Sequence, residues 1–129
     1  PNSKIDLGYF THSFYNEHEI NSDYYYKYIL PILKELNASA VIQVRANMTP
    51  SVFYKNKKCE WHVDYPFVSK TAIFYINDCD GGTELKINDK VVFVKAEANK
   101  VLIFDTSTLH RGTYSKDVDF RYIINFNYF

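Results

Sequence analysis

Phe120-Arg121-Tyr122-Ile123-Ile124-Asn125-Phe126-Asn127-Tyr128-Phe129 ends the chain as a long alternating stretch. Side chains of a strand point to opposite faces in turn, so Tyr122, Ile124, Phe126 and Tyr128 share one face. Arg121, Ile123, Asn125 and Asn127 share the other. The aromatic face needs a cover. The polar face then looks into the interior and carries a guanidinium there, and a buried guanidinium needs an anion. A strand with two such faces belongs in a closed β structure.

The cover lies upstream. Ser22 or Asp23 can cap a helix that starts near Tyr24. Tyr25, Tyr28, Ile29, Ile32, Leu33 and Leu36 follow at helical spacing and form one apolar stripe. Pro31 falls inside it and should kink the helix or divide it into two short ones. Asn37 is the expected stop. From Val41 to Met48 the period changes to two, with Gln43, Arg45 and Asn47 on one face and Ile42, Val44 and Ala46 on the other. Further strands are expected at Trp61–Tyr65, limited by Pro66, at Lys70–Asn77 and at Val101–Asp105. Leu85–Ile87 and Val91–Val94 flank Asn88-Asp89, a hairpin signal. The stretch Asp78–Gly82 reads as a turn, and Thr106–Gly112 as a turn entering a strand. Many short strands after one helical segment predict a mainly β fold, a sandwich or barrel with the helix packed outside.

His62-Val63-Asp64 carries the chemistry. If the triplet is extended, His62 and Asp64 point the same way and Val63 points away. With His110 brought in from beyond the Val101–Asp105 strand, two imidazoles and one carboxylate form one face of an octahedron. That donor set suits Fe(II) and leaves the opposite positions open. Arg121, facing inward, offers a planar fork for the far carboxylate of a dicarboxylic cosubstrate such as 2-oxoglutarate. The competing reading of Arg121 is a salt bridge to a core acid such as Asp105.

The order and spacing of these pieces resemble the 2-oxoglutarate/Fe(II)-dependent dioxygenases, in the branch similar to prolyl 4-hydroxylases that includes small phage and bacterial forms. The resemblance runs from about Val41 to Phe129. It rests on W-H-V-D-Y-P at 61–66, T-A-I-F-Y-I-N at 71–77, G-G-T-E-L at 81–85, K-V-L-I-F-D at 100–105, H-R-G at 110–112 and R-Y-I-I-N-F-N-Y-F at 121–129. It implies a double-stranded β-helix (jelly roll) in one domain over residues 1–129, with helical support at about 22–37 and the jelly-roll core at about 41–129. It implies Fe(II) on His62, Asp64 and His110, with 2-oxoglutarate on Arg121. It adds Tyr75, and Asn47 with Arg45 beside it, as further cosubstrate contacts. The activity implied is hydroxylation of an unactivated C–H bond with O2, releasing succinate and CO2. A peptidyl proline is the favoured substrate, with free amino acids and other small molecules as alternatives. Trp61, Phe67 and Tyr54 are candidate entrance residues, and the lysines of the 55–58 loop suggest a lid. The rival function is a metal-holding, cupin-like binding module without turnover.

Composition bounds the rest. The 129 residues suit one core, and 12 Tyr and 10 Phe exclude a disordered chain. A formal net charge of zero gives no reason to expect nucleic acid or an anionic membrane as partner. A second arginine on the final strand, expected of nucleobase demethylases, is absent. No targeting signal is visible, so a cytoplasmic location is expected, with Cys59 and Cys79 as free thiols. His12 and His18 read as surface or hydrogen-bonded residues. Gly81-Gly82 reads as a tight turn, since no helix follows to make a phosphate loop.

Overall fold

The computed structural model describes residues 10–51 and 59–129. Its elements are β1 (Phe10–Asn16), β2 (Glu19–Ile20), a π-helical turn (Tyr25–Ile29), α1 (Leu30–Glu35), β3 (Val41–Pro50), β4 (Lys70–Tyr75), β5 (Gly82–Ile87), β6 (Lys90–Lys95), β7 (Lys100–Asp105), β8 (His110–Gly112) and β9 (Phe120–Tyr128). Six strands form one antiparallel sheet in the order β2-β1-β3-β9-β4-β7, and three form a second in the order β6-β5-β8. His62 bridges to His110 and extends the smaller sheet by one rung. The two sheets face each other as a jelly roll, the expected mainly β fold. Tyr54 and the 55–58 lysines lie outside the described residues. No helix among the described residues is long and apolar enough to cross a membrane.

From Ile124 onward the two faces of β9 do what their alternation predicts, whereas Tyr122, expected on the covered face, is 39% exposed. Ile124, Phe126 and Tyr128 pack with Val44 and Ala72 against Tyr25, Ile29 and Leu33 of the helical segment. Ile29 and Leu33 are buried, and each such side chain stabilises by about 1.5–3 kcal/mol. The opposite face joins a second core between the sheets, built from Ile73, Tyr75, Leu85 and Phe104.

Pro31 divides the helical segment, as expected. It occupies the first turn of α1, where its missing N–H costs nothing, and the turn before it widens so that the Leu30 amide reaches back to Tyr25. The widening shifts the stripe, and Tyr28, expected in the core, is 52% exposed beneath Lys27. Ser22 accepts the Tyr24 amide at 3.3 Å, although Tyr24 itself occupies the cap position. Asn37 stops α1 in the left-handed region at φ 53. The Asn37 and Ala38 amides return to Lys34 and Leu33, closing a Schellman motif.

Three readings are corrected. Trp61–Tyr65 is not a strand: His62 alone makes a bridge, and the chain then bends towards Pro66. Gly81-Gly82 is not a tight turn. A Cβ on Gly82 would lie 2.1 Å from the Val94 carbonyl oxygen, so close approach of β6 requires the glycine. The third is the N-terminal hairpin β1–β2, which the sequence does not announce. Its turn residues Glu17 and His18 both sit at positive φ without Gly or Asn. The Asn88-Asp89 turn adopts the same left-handed pair with the residues that favour it, at φ 50 and 62.

Candidate metal centre

His110 and His62 face each other because their backbones exchange two 3.0 Å hydrogen bonds. Each imidazole is then oriented through Nδ1. His62 Nδ1 lies 3.0 Å from the Glu60 carbonyl oxygen and His110 Nδ1 3.0 Å from that of Thr108. A carbonyl only accepts, so each ring keeps a proton on Nδ1 and turns Nε2 forward, as an N–H donor to Asp64 without a metal and as the free lone pair a metal would take. They converge on Asp64 Oδ1, at 3.4 Å from His62 and 3.5 Å from His110. The ligand atoms all lie within 4.8 Å of one another. Adjacent ligands of an octahedron with bonds of about 2.1 Å are about 3 Å apart, close to the two histidine–aspartate distances.

Asp64 is held from behind. Its Oδ2 accepts the side-chain amides of Asn127 at 2.9 Å and Asn125 at 3.2 Å. Burial pulls the Asp64 pKa upward, but hydrogen bonds from His110, His62 and Asn127 together outweigh it and hold the carboxyl far below its usual range. His62 is pushed above its ordinary value, chiefly by the hydrogen bond to Asp64. The His62 side chain is 48% exposed, whereas those of Asp64 and His110 are 6% exposed, so the group opens on the His62 side.

Arg121 lies inside, 4% exposed. Its Nη1 donates to the Gly82 carbonyl at 3.0 Å, and its buried Nε has no partner. Gly112 makes room for the guanidinium: a Cβ there would lie 2.8 Å from Nη2. The salt-bridge reading fails, because Asp105 pairs on the outer surface with Lys70 at 2.6 Å. Among the described residues no carboxylate pairs with Arg121. Tyr75 is fully buried beside it, its hydroxyl 2.7 Å from Thr83 Oγ1. Burial pushes the Tyr75 hydroxyl upward against the pull of Thr83 and of the Arg121 charge, so it stays neutral. Asn47 is inward, and its buried Oδ1 is unpartnered.

The entrance candidates divide. Phe67 stacks between Tyr65 and Phe129, with ring centroids 5.2 and 5.9 Å away, and is 42% exposed. Trp61 is on the other side of the smaller sheet from His62. Lys86 and Arg111 cover its ring at 4.6 and 4.2 Å, and Arg111 is bonded to Glu84 at 2.9 Å. It braces the outer surface and does not line the opening. Thr83, Gly112 and the Asn125–Asn127 pair were not singled out for these roles. For the asparagines the signal was present, since they share the inward parity of Arg121.

No family model and no curated protein matches the chain by sequence. Among solved structures, a 2OG-Fe(II) oxygenase-family oxidoreductase from Burkholderia pseudomallei superposes with a TM-score of 0.73 at 10% identity, over 93% of this chain and 68% of its own. The fold is that of the 2-oxoglutarate/Fe(II) oxygenases. A prolyl hydroxylase from Trichoplax adhaerens, solved with a hypoxia-inducible-factor peptide fragment, gives 0.69 at 18% identity over 95% and 63%. An RmlC-like cupin from Desulfovibrio desulfuricans gives 0.53 at 11% identity over 95% and 84%. The chain thus spans about two thirds of the oxygenases' own length. The oxygenase fold agrees with the resemblance seen in the sequence motifs.

Proposed function

We propose that this chain is an Fe(II)- and 2-oxoglutarate-dependent oxygenase that hydroxylates an unactivated C–H bond of a small molecule or peptide. The carrying observation is the convergence of His62 Nε2, His110 Nε2 and Asp64 Oδ1 in front of an inward Arg121 that has no carboxylate partner among the described residues. The donor set fits Fe(II), two neutral imidazoles and one carboxylate. The orphaned Arg121 Nε–H, a buried donor without an acceptor, fits a carboxylate-bearing cosubstrate.

His62, Asp64 and His110 would hold the ion. Bound there, Fe(II) supplies the activation of O2 with which 2-oxoglutarate and a C–H substrate are converted to succinate, CO2 and an alcohol. The protein's share is placement. Arg121, steadied by Gly82 and given room by Gly112, binds the distal carboxylate through its fork. The neutral Tyr75 hydroxyl, set by Thr83, is a donor beside it. Ile73, Leu85, Phe104 and Ile123 keep the space between the sheets apolar and exclude water. The exposed flank of His62 is where the primary substrate approaches. The peptide complex of the Trichoplax enzyme makes a peptidyl proline one candidate for it.

Succinate formation from 2-oxoglutarate tests the proposal: it should require both Fe(II) and O2 and disappear in His110→Ala. The cupin-like fold neighbour sustains one alternative, a metal-holding module without turnover. Iron retention without a visible charge-transfer band on anaerobic addition of 2-oxoglutarate would favour that alternative.

A further inference from the structure

Two guanidinium groups face the interior of the larger sheet, and the cosubstrate accounts for one. On β3, Val44 and Ala46 pack towards the helix, so Arg45 points to the opposite, inner face. The register sets Arg45 opposite Asn125 and Thr49 opposite Arg121. Four strand residues, about 13 Å, therefore separate the two arginine levels. Arg45 stands level with the asparagine that holds Asp64, and Arg121 stands well below. The Arg45 charge is felt at both His62 and Tyr65.

Among the described residues no ion pair balances that charge. Arg45 Nε is buried without a hydrogen-bond partner. Among the described residues no carboxylate pairs with Arg45. Outside the described residues, 52–58 contain no Asp or Glu and 1–9 contain a single acid, Asp6. Asp64 is already engaged by two histidines and two asparagines. A dicarboxylate with one end at the metal group and the other on Arg121 has no charge left for Arg45. Unlike Arg121, Arg45 is only half-buried and sits beside Tyr65, where the Tyr65–Phe67–Phe129 stack flanks the open side.

We propose that Arg45 anchors a carboxylate of the primary substrate, which is a free amino acid or the C-terminal residue of a peptide and not an interior peptide residue. This rests on the oxygenase reading for the substrate's fate, but the anion site itself does not require turnover. The planar fork suits a carboxylate, and the neighbouring rings offer an apolar flank for the substrate's side chain.

The test uses the whole chain loaded with Zn(II) and 2-oxoglutarate, so that Arg121 is occupied and no turnover occurs. The common amino acids, a set of C-terminally free tripeptides and the matched amides of all of them are the probes. Proton–nitrogen spectra follow the Arg45 Nε–H, whose burial protects it from exchange. At least one free acid should shift that resonance, and its amide should bind at least about tenfold more weakly. Whether the acid is an amino acid or a tripeptide distinguishes the two sources. Arg45→Gln should lose the preference for acid over amide, and Arg45→Lys, which keeps the charge but not the fork, should retain part of it. The affinity for 2-oxoglutarate should fall far less in Arg45→Gln than in Arg121→Gln.

Failure of every acid to shift the resonance, equal binding of acids and amides, or loss of 2-oxoglutarate affinity as the main effect of Arg45→Gln overturns the anion site. Succinate formation with Fe(II), measured separately, tests the oxygenase reading. An Arg45 shift without succinate sinks that reading and leaves the anion site standing. Succinate without the shift does the reverse.

Discussion

Asn127 donates its side-chain amide to Asp64 at 2.9 Å although 63 residues separate them. The same amide reaches Thr71 Oγ1 at 3.0 Å, so the last strand, the metal-bearing loop and β4 meet at one nitrogen. Removing it frees a buried carboxylate to turn. Asn127→Ala should weaken metal binding by about 10–100-fold and cost about 1.5–3 kcal/mol of stability, the usual loss for a hydrogen bond to a charged group. Asn125→Ala, at the longer 3.2 Å contact, should show a smaller effect of the same sign. Co(II) titration and chemical denaturation of each variant provide the two measurements.

Arg121 should behave unlike a residue of a buried ion pair. Arg121→Met should weaken 2-oxoglutarate binding by at least about 30-fold, the lower end of what truncating one partner of a desolvated charge pair costs. It should leave the stability of the ligand-free protein unchanged or raised, because no acid among the described residues is abandoned. Calorimetric titration and melting without ligand separate these effects. A large drop in ligand-free melting temperature would point to an unseen acidic partner instead.

Gly112 offers a gentler probe of the same anchor. In Gly112→Ala the new methyl would meet Arg121 Nη2 at 2.8 Å, and the far end of the side chain can yield where backbone could not. Stability should fall by about 1 kcal/mol, the lower end of what overpacking costs. The affinity for 2-oxoglutarate should fall about tenfold, because the fork has moved. Equal affinity for wild type and variant would show that the guanidinium position is not set by this contact.

Burial raises the pKa of Tyr75, and to differing extents those of Tyr25, Tyr65 and Tyr128. The unfolded chain then loses these protons at a lower pH than the folded one. The contribution of these tyrosines to stability should be constant below about pH 10, the ordinary tyrosine value, and fall as pH rises from there through the folded values. Ultraviolet titration should show a group of tyrosines ionising late, and Tyr75→Phe should remove one from it. Early, uniform ionisation of all 12 tyrosines would contradict the buried placement.

The helical cover can be tested apart from the chemistry. Leu33 is 3% exposed in the cluster with Phe126 and Tyr128. Leu33→Ala should cost about 2–5 kcal/mol, the range for emptying a core leucine. In the fraction that stays folded, 2-oxoglutarate affinity should change little, since this cluster lies on the far face of β9 from Arg121.

The alternation of residues 120–129 was legible because a strand's period of two is a local property. It assigned Phe126 to a core, Arg121 to an interior and the helical stripe to the aromatic face before any contact was known. The Asn88-Asp89 hairpin and the Asn37 stop were legible for a similar reason: left-handed backbone selects those residues. The Glu17–His18 turn was not, because the cost of positive φ there is met by pairing β1 with β3, a contact distant in sequence. Tyr28 was misplaced because Pro31 changes the helical register one turn ahead of itself, through a missing hydrogen bond that no periodicity count includes.

By itself the sequence determined the donor types, their order along the chain and the inward parity of Arg121. Only the tertiary structure decided that His62 meets His110 through a backbone bridge and not within a strand. It alone also set both imidazoles by carbonyls, turned Trp61 outward, placed two asparagines behind Asp64 and gave Arg45 no acidic partner among the described residues. The difference is physical. Parity and propensity follow from the backbone of a few adjacent residues, whereas the orientation of a ligand follows from groups that only sheet register brings within hydrogen-bonding distance.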